Sequence, residues 1–275
     1  MALLLSVIQR EKLERLNIMN PKISVIMSAF NAENYIGYAL SSLESQTFSN
    51  FEIIIINDGS TDNTNNIILN FIKETKCKVK YINQENVGLT KSLNRAIDEC
   101  DGDFIARMDA DDISLPHRFE KSIDFISENN LDFMSARSKR FFRDYEYSEV
   151  PNINKDLFSL RPGLFKFGNP FVHGTFVCKR EVMQAHKYNE NYRTAQDFDF
   201  LCRLSKDNNI KMGYCSEALY KLRVDPDSSG RNINSTQHSN AIKISEEHFL
   251  TSKYMIIKYT GIPKMILSLL KRVYL

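Results

Sequence analysis

Between residues 23 and 112 a short β-branched apolar run alternates four times with a polar or amphipathic stretch, and few folds accept that pattern. The runs are Ile23–Met27, Ile53–Ile56, Val79–Ile82 and Phe104–Met108. Runs this short and apolar suit strands buried on both faces. Between them, Tyr35, Ile36, Ala39, Leu40 and Leu43 recur at helical spacing within 33–46, and Leu89–Cys100 is also helical in pattern. Ser60 or Thr61 is placed to cap the helix after the second run. Strand and helix in alternation predict a parallel sheet covered by helices on both faces. Ligands of such sheets lie outside the carboxyl ends of the strands. Three of those ends are polar: Ser28-Ala29-Phe30-Asn31, Asn57-Asp58-Gly59-Ser60 and Asp109-Ala110-Asp111-Asp112. One topological rule therefore gathers them around one crevice.

The second half is less regular. Strands are expected at Asp132–Ala136, Thr175–Cys178, Lys211–Tyr214 and Ala218–Val224, with helices near 116–129 and 197–207. Arg143–Gly168 shows no clean period and reads as a mobile loop over the site. A length of 275 residues, 43% of them hydrophobic, is enough for a sizeable core. The net charge of +2 argues against a nucleic-acid coat. The five cysteines form no CxxC pair, which fits reduced thiols in a cytoplasmic protein. No run of 18 apolar residues is present, and the first 20 residues read as an extension rather than a signal peptide.

Each polar cluster has a chemical and a structural reading. Three carboxylates within four residues repel one another unless a cation or donors offset them, and they suit Mg²⁺ or Mn²⁺. Equally, Asp112 or Ser114 could cap the helix entered at Pro116. Asp58 could accept from a ring N–H such as N3 of uracil, or satisfy its own turn. Gly88 permits close backbone approach or positive φ. Lys91 and Arg95 share a helix face suited to phosphate or to solvent. Asp197 opens an apolar-striped helix (Phe198, Leu201, Leu204) as an N-cap or as a general base. A lone His173 more often packs than ligates.

In this order the clusters resemble family 2 glycosyltransferases of the GT-A fold, most closely the bacterial enzymes that build O-antigen, capsule and other surface polysaccharides. The likeness covers about 22–225 and rests on KISVIMSAFNAENYIGYALSSLESQTFSNFEIIIINDGSTDNT (22–64), ENVGLTKSLNRAIDECDGDFIARMDADDISLPHRFEKSIDFI (85–126) and AQDFDFLCRL (195–204). It implies a Rossmann-like, mostly parallel nucleotide-binding sheet flanked by helices, with C-terminal helices. The boundaries it implies are 1–20 as extension, 21–225 as the GT-A domain and 226–275 as a helical segment. The domain divides into a nucleotide-binding half, 21–112, and an acceptor half, 113–225.

The family's roles transfer residue by residue. Ser28, Ala29, Phe30, Asn31 and Glu33 would line the nucleotide pocket, with Phe30 near the base. Asp58 would accept from uracil, and Gly88 and Lys91 would approach the diphosphate. Asp109 would meet the ribose or the metal, Ala110 would line the donor site, and Asp111 would bind Mn²⁺ or Mg²⁺ directly. Asp197 would be the catalytic base, with His173, Gln196 and Arg203 near the donor sugar or acceptor. Four positions depart from the family pattern: Asn57, Gln196, Cys202, and Asp225 where relatives often carry His.

The implied reaction is a single inverting displacement from a UDP-sugar to a hydroxyl of a glycan or undecaprenyl-diphosphate-linked acceptor, as in lipopolysaccharide synthesis. A nucleotidyltransferase would carry a Gly-rich basic loop after its first strand, where this chain has Ser-Ala-Phe-Asn-Ala-Glu. A silent sugar-nucleotide-binding subunit would tolerate loss of Asp111 or Asp197, and both are present. Residues 251–275 carry five basic residues and no acidic one, so the +2 total hides −3 over the first 250. Ile262, Met265, Ile266, Leu269, Leu270 and Val273 follow helical spacing there. Such a helix suits either the cytoplasmic face of a membrane or packing on the core. No nucleic-acid partner is expected.

Overall fold

The computed structural model describes residues 21–166, 168–224 and 235–249. The extension over 1–20, Asp225 and the basic helix near the C-terminus lie outside the described residues. The elements in chain order are β1 (Ile23–Ala29), α1 (Ile36–Glu44), β2 (Phe51–Asp58), α2 (Thr64–Glu74), β3 (Lys78–Gln84), α3 (Leu89–Asp98), β4 (Phe104–Asp109), β5 (Ile113–Ser114) and α4 (Arg118–Glu128). They continue as β6 (Phe133–Phe142), β7 (Tyr145–Val150), α5 (Pro162–Phe165), a 3₁₀ turn (His173–Thr175), β8 (Val177–Lys179), α6 (Arg180–His186), α7 (Gln196–Lys206), β9 (Met212–Arg223) and α8 (Ser235–Phe249).

The strands form one sheet in the order β3-β2-β1-β4-β8-β6-β9-β5, with β7 paired to β6. β3, β2, β1 and β4 are mutually parallel, as the alternation requires. Successive side chains serve opposite faces. Val25, Met27, Ile53 and Ile55 join a core with Leu40 of α1, Ile68 of α2 and Phe119 of α4. Ile26, Ile54, Ile56 and Ile105 join a second core with Leu93 of α3, Leu201 of α7 and Ile244 of α8. The four isoleucines of β2 are all 0% exposed. At about 1.5–3 kcal/mol per buried branched side chain, that strand is among the main attachments of the fold.

The second half departs from expectation in three places. Arg143–Gly168 is not a featureless loop, since β7 turns back onto β6 with Phe142 opposite Tyr145. Its period was invisible because the first five residues of β7 are all exposed and carry no apolar alternation. The two expected strands at 211–214 and 218–224 are one strand, β9, whose pairing with β6 shifts register near Ala136–Arg137. The caps also differ. Ser60 and Thr61 do not cap α2, whose N-cap is Asn63. Neither Asp112 nor Ser114 caps α4, which starts after His117, and α7 starts after Ala195 in a left-handed conformation.

Helix α8 belongs to the same globule. Tyr192 Oη donates to Glu247 at 2.6 Å, and Asn240 Nδ2 donates to Thr194 Oγ1 at 3.0 Å. No helix among the described residues is long and apolar enough to cross a membrane.

The loops after β1 and β2 are stitched together below the crevice. The buried Ala32 N–H donates to Thr64 Oγ1 at 2.7 Å. Thr64→Val keeps the shape and removes the acceptor, so it should destabilise folding by about 1–3 kcal/mol in urea unfolding monitored by circular dichroism.

Candidate active site

Parallel register brings the ends of β1, β2, β3 and β4 to one edge: Ala29 lies beside Asn57, Asp58 beside Gln84 and Ser28 beside Asp109. All three polar clusters therefore meet there, as the topology requires.

The first wall is the loop after β1. Asn31 takes φ 48°, a conformation Asn tolerates better than most residues. Its N–H donates to Ser60 Oγ at 3.0 Å, and its Oδ1 accepts from Thr61 N at 2.9 Å. Glu33 Oε2 accepts from Asn63 N at 2.9 Å, while Glu33 N donates to Asp62 at 3.0 Å. Asn31 and Glu33 thus clamp two loops to each other. Ala29 is buried, so its backbone rather than its side chain can face a ligand. Phe30 is 51% exposed, an aromatic face left open at a strand end.

Asp58 is 2% exposed. It accepts from Gly88 N at 2.9 Å, Val87 N at 3.0 Å and Gln84 Nε2 at 2.8 Å. These partners lie 26–30 residues further along the chain, so the carboxylate ties β2 to β3 and to the start of α3 rather than closing its own turn. A carboxylate has about four lone-pair positions, which leaves capacity for one further donor. Gly88 has φ 92°, which a side chain would strain, and it starts α3 with its N–H held by Asp58. Lys91 stands exposed one turn on, whereas Arg95 is occupied by Gln84 Oε1 at 2.7 Å. Arg193, not anticipated from the sequence, brings its guanidinium against Gly88; a Cβ there would meet it at 3.5 Å. It is placed by the preceding residue, since Thr90 Oγ1 donates to Tyr192 O at 2.8 Å.

The acidic turn separates its three carboxylates. Asp112 is 0% exposed and accepts from Arg223 N at 2.8 Å, so it braces β9. Asp109 and Asp111 remain partly accessible. Asp109 pairs with Arg107 Nη1 at 2.5 Å, and its N–H donates to Tyr220 Oη at 3.1 Å. Arg107 is fully buried, and the carboxylate of Asp109 holds its pKa above the ordinary value against the opposing effect of burial. Beside it, burial lowers the Arg118 pKa to about 10, although Arg118 Nη2 donates to Arg107 O at 2.7 Å and Gly174 O at 2.8 Å. Among the described residues no three His, Cys, Asp or Glu groups converge on a cation. Mg²⁺ and Mn²⁺ sites of the phosphate-transfer kind need only one or two protein carboxylates, with the rest from substrate phosphate and water. The partly accessible Asp109 and Asp111 fit that donor set.

Asp197 lies in the first turn of α7, on the second core's side of the sheet. Burial raises its pKa; the Asn169 Nδ2 donor, at 2.6 Å, and the charge of Arg107 pull the other way. Asn169 was not anticipated; its own Oδ1 accepts from Phe171 N at 2.8 Å, which aims the amide at Asp197. His173 follows its packed reading. It shares a 2.7 Å hydrogen bond with Tyr188 Oη and meets the rings of Phe176 and Tyr188 edge-on. Burial and then Arg107 push its pKa well below the usual range, so it is neutral at pH 7. Gln196 is buried beside Asp197. Arg203, more than one turn further along, points elsewhere: it donates to Asp199 at 2.8 Å and to the Lys187 carbonyl at 2.7 Å.

The signals for the missed residues were faint. Arg107 and Arg223 stand as charges inside expected strands, but Asn169 and Arg193 sit in unpatterned segments.

A model described as glycosyl transferase family 2 matches residues 24–225. The glycosyltransferase EpsE of Bacillus subtilis is 30% identical over 232 residues, 82% of this chain and 81% of EpsE. The O-antigen biosynthesis glycosyltransferase WbnJ of Escherichia coli is 30% identical over 209 residues, 74% of this chain and 79% of WbnJ. Among solved structures, S. aureus TarS 1-349 in complex with UDP-GlcNAc superposes with TM-score 0.68 at 21% identity, covering 84% of this chain and 67% of that one. A Pyrobaculum calidifontis mannosyltransferase in complex with GDP-Man and Mn²⁺ gives TM-score 0.57 at 14% identity, covering 85% and 63%. These likenesses show the GT-A fold.

The raised pKa of Asp197 gives a stability test. A raised acid favours folding fully below its unfolded pKa, about 4, and that contribution is lost as pH rises through the folded value. Asp197→Asn should therefore raise the unfolding temperature at pH 7.5 by about 2–4 °C, with the gap closing towards pH 4, by scanning fluorimetry.

Proposed function

This chain belongs to glycosyl transferase family 2, and from that premise we propose that it moves a sugar from UDP to an acceptor hydroxyl with inversion, in assembly of a bacterial surface polysaccharide. The observation that carries the mechanism is the pairing of a partly accessible acidic turn, Asp109 and Asp111, with a partly accessible carboxylate of raised pKa, Asp197. The field of Arg107 reaches both Asp109 and Asp197.

In this reading Phe30 offers its exposed ring to the base, and Asp58 supplies the acceptor for a base N–H. Lys91 and Arg193, the latter against Gly88, offer positive charge near the N-terminus of α3, where a diphosphate would gain from the helix dipole. Asp111 and Asp109 would hold Mn²⁺ or Mg²⁺, which when bound neutralises charge on the departing diphosphate. Asp197 takes the acceptor proton, and its raised pKa makes it a stronger base than an ordinary carboxylate. Asn169 keeps one oxygen of Asp197 engaged and fixes the direction of the other. Neutral His173 shapes the floor and takes no proton in this scheme.

The donor assignment leans on TarS, whose structure holds UDP-GlcNAc, and the surface-polysaccharide role on WbnJ. A glycan or undecaprenyl-diphosphate-linked acceptor at the cytoplasmic face of the membrane, met through the basic C-terminal segment, completes the reading.

UDP release measured over a panel of sugar nucleotides, with and without Mn²⁺, tests it. Asp197→Asn should lower turnover by about 10²–10⁴-fold and leave UDP affinity within about twofold. Full turnover by that variant would remove the base assignment. Asp111→Ala should lose both Mn²⁺ dependence and UDP affinity; unchanged titrations of either would refute its role. Because Asp197 must be ionised, the acid limb of the rate profile should fall at higher pH than an ordinary aspartate gives, and Asn169→Ala should move it higher still.

A further inference from the structure

Arg223, the last residue of β9, is 9% exposed and contacts the acidic turn, the start of α1 and β6. Its N–H donates to Asp112 Oδ1 at 2.8 Å, and its Nε donates to the main-chain carbonyl of Asp111 at 2.7 Å. Its guanidinium carbon lies over two rings, 4.4 Å from the centroid of Tyr35 and 4.5 Å from that of Phe141. Tyr35 stands at the N-terminus of α1, at the end of the loop after β1, and Phe141 lies near the tip of the β6–β7 hairpin. The next residue fastens the hairpin again, with Val224 N donating to Phe141 O at 2.8 Å.

A planar cation held within cation–π distance of two rings and bonded through its edge has little rotational freedom. Its backbone N–H and Nε each hold one residue of the turn. Asp112 is thereby taken out of the ligand set, and the backbone at Asp111 is pinned while its side chain stays partly accessible. Lysine could keep the charge but could neither present a planar cation to the two rings nor supply Nε at that place.

We propose that Arg223 is the positioning residue of the cation-binding turn: it holds Asp111 against the nucleotide-side loop and so sets the affinity for a divalent cation. This rests on the reading of Asp109 and Asp111 as the cation ligands. Removing groups that orient metal ligands typically costs about 10–100-fold in metal affinity.

The test measures Mn²⁺ binding to the full chain by electron paramagnetic resonance, and UDP binding by calorimetry with and without Mn²⁺. Arg223→Lys should raise the Mn²⁺ dissociation constant at least tenfold and leave metal-free UDP binding within about twofold. Tyr35→Leu, which removes one of the two rings beside the guanidinium, should raise it by about threefold. Unchanged Mn²⁺ constants in folded variants would overturn the assignment to Arg223 alone. An equal loss of metal-free UDP binding would overturn it too, since the residue would then act through the nucleotide wall. A native chain that binds no Mn²⁺ would overturn the cation-site reading and this proposal with it.

Discussion

Parallel pairing of β1 with β2 on one side and β4 on the other is the constraint on which the rest depends. Parallel strands run their carboxyl ends to the same edge, so polar residues that close three separate runs are brought together before any side chain acts. The helices that cover both faces fix the sheet through two cores, which leave this edge as the place for polar groups. The crevice is therefore a consequence of topology, and its chemistry depends on which of those polar groups find partners inside the protein.

The two ends of the sheet show that difference. At the end away from the crevice, Glu52 is 3% exposed and accepts from Ser24 Oγ at 2.8 Å, with Lys22 Nζ at 2.8 Å and Lys78 Nζ at 3.2 Å. Its charge is matched by bonded donors, as a structural carboxylate requires. At the crevice, two guanidiniums, Arg107 and Arg118, are buried side by side, and Asp109 and Asp111 stay partly open beside them. Asp197 carries a raised pKa in the same region. A carboxylate of raised pKa near buried cations is the kind of perturbed titration that marks a candidate site.

Much of this was legible in the chain. The four strands of the first half, their helices and the meeting of Asp58, Asp109 and Asp111 follow from local period and one topological rule. The hairpin of β7 was not, because an exposed edge strand carries no apolar alternation. The resemblance puts Arg203 near the donor sugar or acceptor, whereas in the structure its guanidinium is held by Asp199 and the Lys187 carbonyl. Asn169 and Arg193 lay in segments without period, where sequence gives no direction to a side chain.

The sequence by itself determined the family, the parallel half and the residue types that could bind a nucleotide and a cation, since these depend on short-range pattern. Tertiary structure alone decided the fate of each polar group. It turned Asn31 and Glu33 into clamps between loops and buried Asp112 under Arg223. It joined Asp58 to the start of α3 and brought Asn169 onto Asp197 across 28 positions. A hydrogen bond needs its partner within about 3 Å, and partners this distant in the chain are supplied only by packing.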